Sequence, residues 1–122
     1  MSRDPLRVPN YLDHIVDSID RIFRYCAGLD ENEFFSNQLI QDAVIRNFAV
    51  IGEASRNIER VSPEFVEANP DLPLSFAYDM RNILVHGYYQ VDLKVVWDTV
   101  KRDLPTLRDR LIAVRRSIES ES

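Results

Sequence analysis

Three side chains between residues 81 and 86 are of types that suit the cleavage of RNA: Arg81, Asn82 and His86. Transfer of a phosphate to the neighbouring 2′-hydroxyl needs a base, an acid and a cation that binds the phosphate. A histidine can perform either proton transfer near neutral pH, and an arginine is a permanently charged, bidentate phosphate ligand. Asn82 could fix the tautomer of the histidine or contact the phosphate.

The spacing alone leaves two interpretations of His86 open. On a helix, Asn82 and His86 share a face, whereas Arg81 and His86 are separated by about 140° around the axis. A long arginine can still reach the imidazole, or the two side chains can face a ligand across a dimer axis. In the simpler interpretation His86 is a histidine near a helix C-terminus, where the macrodipole favours a cation.

Apolar spacing and the scarcity of turn residues predict that helices position this segment. The chain has 3 Gly and 6 Pro among 122 residues, and the apolar positions recur with helical periodicity. We predict an all-α antiparallel bundle, four main helices plus a short one, in a single domain over residues 1–122. The predicted helices cover 9–26, 31–35, 37–60, 63–68, 76–88 and the chain from 93 onward, with a bend or break at Pro105 and a frayed tail at 117–122.

Residues with known capping preferences mark most of these helix ends. Gly28 is a plausible C-terminal stop for the first helix. The predicted N-caps are Asp30, either Ser36 or Asn37, Ser62 before Pro63, Ser75 and Asp92.

A surplus of apolar positions predicts a homodimer. One core-facing stripe does not need all of them, and a second stripe is typical of helix-to-helix dimers. The alternative is a core that covers a wider face of each helix. The surplus positions are Leu12, Val16, Leu39, Val50, Ile83 and Leu84.

Composition excludes several classes of protein. The net charge of −5 argues against loose binding of nucleic acid over the whole surface, but 13 Arg against 2 Lys allows a local arginine-lined cleft. A single cysteine, Cys26, excludes an intrachain disulfide and a cysteine-based zinc site. We expect no metal, no other cofactor and no membrane span. The charged N-terminus lacks the apolar core of a signal peptide, so we expect a cytoplasmic protein.

Motifs along nearly the whole chain resemble the HepT-like ribonuclease toxins of the HEPN superfamily. The segment from Arg81 to Tyr88 matches the R-x4-H-x-Y signature of that family. Residues 42–48 and 51–54 resemble its second-helix block, Asp92 with Trp97 and residues 103–107 its last-helix block, and residues 11–15 its first helix. Phe76 stands where the family often has Trp.

This resemblance implies a metal-independent endoribonuclease that dimerises, with Arg81 and His86 catalytic and Asn82 supporting. It also implies the toxin of a type II toxin–antitoxin pair. The antitoxin would be a minimal nucleotidyltransferase that can transfer AMP to the motif tyrosine, here Tyr88. The added negative charge would block a cleft made for substrate phosphate.

Glu53 and His14 are two further residues of interest, and one alternative function stays open. Glu53 resembles an acidic residue of the family's second helix, which could pair with Arg81 or bind the partner, or be an exposed helix residue. His14, among acidic neighbours, is expected at the surface in a pair with an aspartate. The alternative function is a catalytically idle HEPN subunit that binds or regulates a nucleotidyltransferase.

Overall fold

Helices form all the regular structure in the residues that this computed structural model describes, which are 7–74, 79 and 92–121. The fold class is all-α, as the sequence predicted. The predicted helix over 76–88 lies outside the described residues, residue 79 apart. The elements are α1 (Arg7–Cys26), α2 (Glu31–Phe35), α3 (Gln38–Val61), α4 (Pro63–Ala68), α5 (Leu93–Asp98), a π-helical turn (Thr99–Asp103) and α6 (Leu104–Glu121).

Local capping chemistry sets the start of α2 and α3. The Asp30 carboxylate accepts a hydrogen bond from the Glu33 backbone N–H at 2.8 Å, and the Glu33 carboxylate accepts one from the Asp30 N–H at 2.9 Å. This reciprocal pair is a capping box. Of the two candidates for the next cap, Asn37 takes the position and accepts from the Ile40 N–H at 3.1 Å.

Two more of the predicted N-caps, Asp92 and Ser62, lie among the described residues, and they differ in their hydrogen bonds. The Asp92 carboxylate accepts from the first N–H groups of α5, as predicted. Pro63 occupies the first turn of α4, also as predicted, but the Ser62 hydroxyl makes no capping bond to the backbone. It donates instead to the Glu64 carboxylate at 2.8 Å, because a charged acceptor two residues away forms the stronger bond.

Gly28 ends α1 in the left-handed region, with φ at +78°. A Cβ at this position would meet nothing within 4 Å. The need for glycine is therefore conformational and does not come from packing.

We expect Gly28→Ala to lower the free energy of unfolding by about 1 kcal/mol, because an L-residue with a Cβ is strained at positive φ. Gly28→Asn should cost less, since asparagine tolerates this region best among the other residues. Urea denaturation of the three proteins measures both differences. An alanine variant as stable as the wild type would contradict the left-handed conformation.

One apolar core joins all the longer helices. Helix α1 packs against α3 on one side and α6 on the other, while α2 lies against α3 and α5. The side chains that line it are almost fully removed from water: Val8, Leu12, Ile15, Ile19, Ile22, Cys26, Phe34, Val44, Phe48, Ile51, Ala54, Ile58, Leu72, Leu74, Val96, Trp97, Val100, Leu104, Leu107 and Leu111.

The surplus apolar positions differ in burial. Leu12 is fully buried and belongs to the core, so at this position the dimer stripe is wrong and the alternative, a core that covers a wider face of the helix, is confirmed. The core face of α1 is wide because α1 packs between two helices. Leu39, 81% exposed, does stand outside the core. Ile83 and Leu84 lie outside the described residues, and the homodimer stays a prediction.

Three buried polar side chains satisfy their own hydrogen bonds within one helical turn. The Asn47 amide donates to the Ala43 carbonyl at 2.9 Å and the Ser55 hydroxyl to the Ile51 carbonyl at 2.8 Å. Thr99 does the same with the Val95 carbonyl at 2.7 Å. Each of these donor groups therefore finds an acceptor four residues back on its own helix.

The predicted disturbance at Pro105 takes the form of a π-helical turn. The backbone stays right-handed helical from α5 into α6, and the Leu104 N–H donates to the Thr99 carbonyl, five residues back. A proline lacks the N–H for an α-helical bond and its ring collides with the carbonyl four residues earlier. The wider turn before Pro105 accommodates both problems without ending the helix.

Helix α6 continues through the segment predicted to fray. It ends at Glu121 and not near Ser117. Ile118 packs against the core, and the Arg115 guanidinium lies 3.6 Å from the Glu119 carboxylate one turn later. These contacts give the polar sequence a reason to stay helical that its composition alone does not show.

Two ion pairs connect α1 with α6. The Arg108 guanidinium donates to both oxygens of the Asp20 carboxylate, at 2.6 and 3.3 Å, and Arg115 donates to Asp13 at 3.0 Å. The hydrogen bond with Asp20 raises the pKa of Arg108 further. Because all four side chains are partly exposed, each pair adds little to stability.

Candidate functional site

Only one of the predicted site residues falls in the described part of the chain. Arg81, Asn82, His86 and Tyr88 lie outside the described residues. Glu53 is placed on α3, with its side chain exposed. The structure therefore bears on the site through Glu53 and its surroundings.

Glu53 borders a shallow depression between α1 and α3. Its volume is about 180 Å³, and it is lined from α1 by Tyr11 and His14 and from α3 by Val50, Glu53, Ala54 and Asn57. The N-terminal half of α1 thus faces the C-terminal half of α3. Helical spacing places these α3 residues on one face, since they are three, four and seven positions apart.

The two rings on α1 contact each other edge to face. The ring centroids of Tyr11 and His14 are 6.4 Å apart and the planes meet at 75°. His14 is exposed, as predicted. Its predicted pairing with an aspartate is not seen among the described residues, and the adjacent Asp13 pairs with Arg115 of α6.

A guanidinium stands beside the depression on α3. The exposed Arg60 donates from Nη2 to the Asn57 Oδ1 at 2.6 Å. The depression thus combines aromatic rings, an aliphatic floor, a carboxylate, an amide and a neighbouring cation. This set can bind a small planar ligand that carries both hydrogen-bonding edges and negative charge.

Sequence analysis identified Glu53 but did not group it with Tyr11, His14 and Asn57. The available signal was the helical spacing within each helix. Tyr11 and His14 are three positions apart, and Glu53 and Asn57 are four positions apart. Joining the two pairs requires the alignment of α1 with α3, which helical periodicity does not specify.

A second cavity, of about 220 Å³, brings Cys26 near the π-helical turn. Lys101 and Pro105 line it with Phe23, Ala27, Gly28 and Val100. Burial raises the pKa of the Cys26 thiol, and the positive charge of Lys101 opposes this effect. Cys26 therefore behaves as a core residue, as expected.

We expect the burial of Cys26 to make stability pH-dependent at alkaline pH. The unfolded thiol ionises near its ordinary pKa of about 8.5, while the folded thiol stays protonated to higher pH. Unfolding then releases a proton, so the free energy of unfolding falls as pH rises past that value.

Cys26→Ala, which lacks this group, is the matched comparison. The alanine variant should be less stable at pH 7, since it leaves a cavity, and the gap to the wild type should narrow at pH 9.5. Urea denaturation at the two pH values measures this. A gap independent of pH would contradict the assignment.

Metal-ligating side chains are scattered over the described helices. Within residues 7–74, 79 and 92–121, no three His, Cys, Asp or Glu side chains gather as a metal ion would require. In the same part of the chain, no helix combines the length and apolar composition of a membrane span.

Comparison with known proteins gives one family and several relatives. Residues 15–114 match the family described as "Ribonuclease HepT-like". A Methanocaldococcus jannaschii protein named "Gamma-glutamylcyclotransferase and putative RNase" is 37% identical over 89% of this chain, which spans 48% of that protein. A Thermococcus cleftensis protein named "Probable ribonuclease HepT" is 35% identical, over 88% of this chain and 94% of its own length. No solved structure matches the chain.

Proposed function

Because this chain belongs to the ribonuclease HepT-like family, we propose that it is a metal-independent endoribonuclease with Arg81 and His86 as catalytic residues. The observation that carries the proposal is the range of the family match. Residues 15–114 include the whole segment from Arg81 to Tyr88. The residue types of that segment supply the proton transfer and the phosphate binding that RNA cleavage needs.

The proposed chemistry begins with the 2′-hydroxyl next to the scissile phosphate. A neutral His86 imidazole takes the hydroxyl proton while the 2′-oxygen attacks phosphorus. The P–O bond to the 5′-oxygen breaks, and that oxygen takes up a proton from a general acid. In a homodimer this acid is the second copy of His86. The products are a 2′,3′-cyclic phosphate and a 5′-hydroxyl. Arg81 stabilises the charge that develops on the phosphate, and Asn82 supports the histidine.

The proposed biological role is the toxin of a type II toxin–antitoxin pair. In a homodimer, two copies of His86 can supply the separate acid and base that one chain lacks. The cognate antitoxin is a minimal nucleotidyltransferase, which inactivates the toxin by AMP transfer to Tyr88. Negative charge next to Arg81 and His86 would compete with substrate phosphate.

The test is cleavage of single-stranded RNA by purified protein in EDTA. Intact mass must first show that Tyr88 is unmodified, since an adenylylated sample would be inactive for a trivial reason. We expect cleavage that EDTA does not reduce, with cyclic phosphate ends on the products. Absence of cleavage by an unmodified sample would favour the idle subunit that binds or regulates a nucleotidyltransferase.

A further inference from the structure

The depression between α1 and α3 has a size that selects its ligand. Its volume of about 180 Å³ is well below the roughly 300–1,000 Å³ of pockets that enclose drug-sized molecules. A single planar ring system fits such a space, whereas a helix or a base pair does not. A ligand of this depression would therefore be one flat group, such as a single ring system of a longer molecule.

The walls of the depression suit an aromatic ligand. The ring planes of Tyr11 and His14 meet at 75°. In such an edge-to-face pair, the ring whose edge touches the other does not use either of its own faces in that contact. Ala54 and Val50 provide an aliphatic surface on α3. Unpaired RNA bases bind proteins by stacking on such rings, histidine included.

The polar groups of the depression suit the edge and the phosphate of a nucleotide. The Glu53 carboxylate accepts hydrogen bonds from an exocyclic amino group, as acidic residues do with cytosine. Asn57 adds an amide, and its Oδ1 accepts a hydrogen bond from the Arg60 guanidinium at 2.6 Å, which brings a cation next to the lining residues. Arginine is the side chain best suited to phosphate.

The larger groove between α1 and α6 suits a nucleotide less well. It measures about 420 Å³ and is lined by Asp13, Val16, Asp17, Ile112, Arg115 and Arg116. Arg115 is already bonded to Asp13 and lies 3.6 Å from Glu119. Among its lining residues in the described part of the chain there is no aromatic ring on which a base could stack.

We propose that the depression formed by Tyr11, His14, Val50, Glu53, Ala54 and Asn57 is a nucleobase subsite for the RNA substrate. It takes one unpaired base with an exocyclic amino group and places the adjacent phosphate against Arg60. The proposal rests on the proposed ribonuclease function and deepens it, because a base bound in the subsite would add to the affinity for the RNA substrate.

Cleavage kinetics provide the first test, with Tyr11→Ala against Tyr25→Ala. Tyr25 is a tyrosine on the same helix, away from the depression and 38% exposed. Loss of one stacking ring should raise KM for a single-stranded oligonucleotide about fivefold or more and leave kcat within twofold. Tyr11→Phe should restore KM, and Asn57→Ala, which leaves the core untouched, should raise it.

A Tyr11→Ala enzyme with unchanged KM would overturn the subsite while leaving the ribonuclease function intact, whether or not its kcat falls. If sedimentation of that variant also shows a changed oligomeric state, this face is a contact between copies of the chain.

Nucleotide binding tests the subsite without any cleavage. Ring-proton NMR signals of Tyr11 and His14 would be followed with CMP, AMP, GMP, UMP and ribose 5-phosphate at millimolar concentration. We expect shifts with CMP, AMP and GMP, weaker shifts with UMP, and none with the base-free phosphate. No shift with any nucleotide, or equal shifts with ribose 5-phosphate, would overturn the proposal. Because this readout does not depend on turnover, it separates failure of the subsite from failure of the ribonuclease function.

Discussion

His86→Ala is expected to slow RNA cleavage by at least about a hundredfold, because a positioned general acid or base contributes roughly 10²–10⁴ to rate. Arg81→Ala should lower kcat by a comparable factor, since it removes a cation from the developing phosphate charge. Initial rates on a single-stranded oligonucleotide in EDTA measure both effects.

The matched control for the arginine is Arg102→Ala, an exposed arginine of the π-helical turn. It should cleave at the wild-type rate, and circular dichroism should show that all three variants are folded. Cleavage by both Arg81→Ala and His86→Ala at the wild-type rate would contradict the assignment of the site. It would also point to a contaminating nuclease.

Phe34→Ala is expected to cost about 3–5 kcal/mol of unfolding free energy, the usual range for a buried phenylalanine. Phe34 is fully buried and is the side chain through which α2 reaches the core. Its ring lies 5.2 Å from that of Trp97. A domain of this size is stable by about 5–15 kcal/mol, so the substitution removes a large share. Urea denaturation provides the measurement.

The adjacent Phe35 offers a control of the same residue type. It is 39% exposed, so Phe35→Ala should change the free energy of unfolding by no more than about 0.5 kcal/mol. Phe34→Leu should fall between the two, because it retains part of the buried volume. Equal losses at positions 34 and 35 would show that α2 is not anchored through Phe34.

The helix ends were the most predictable part of the fold, because caps depend on a few neighbouring residues. Asp30, Asn37 and Asp92 each accept backbone hydrogen bonds where the sequence placed a cap. Ser62 is the exception, and its hydroxyl is diverted by Glu64. Competition between two nearby acceptors is a local effect, but residue type alone does not decide it.

Burial was less predictable than helix position. Leu12 was assigned to a surface stripe, yet it is in the core because α1 has helices on two sides. Ile118 keeps the end of α6 helical through contacts with the core. Both effects come from neighbours distant in the sequence, and helical periodicity contains no information about how many neighbours a helix has.

The candidate site residues also differ in how far the sequence groups them. Arg81, Asn82, His86 and Tyr88 form a short motif whose chemistry can be read from residue types and spacing. Tyr11 and Glu53 are 42 positions apart in the chain, and only the packing of α1 on α3 brings them to one depression. The motif stays a prediction from the sequence, whereas the grouping of Tyr11 with Glu53 requires coordinates.

The two ion pairs between α1 and α6 distinguish the observed alignment of these helices from shifted ones. Asp13 and Asp20 are seven residues apart, and so are their partners Arg108 and Arg115. If one helix slid by two turns, only one of the two pairs could form. One carboxylate and one guanidinium would then have no partner on the other helix. Each pair adds little energy in the native alignment, but every shifted alignment loses at least one of them. The two pairs therefore favour the observed register of α6 along α1 over every shifted register.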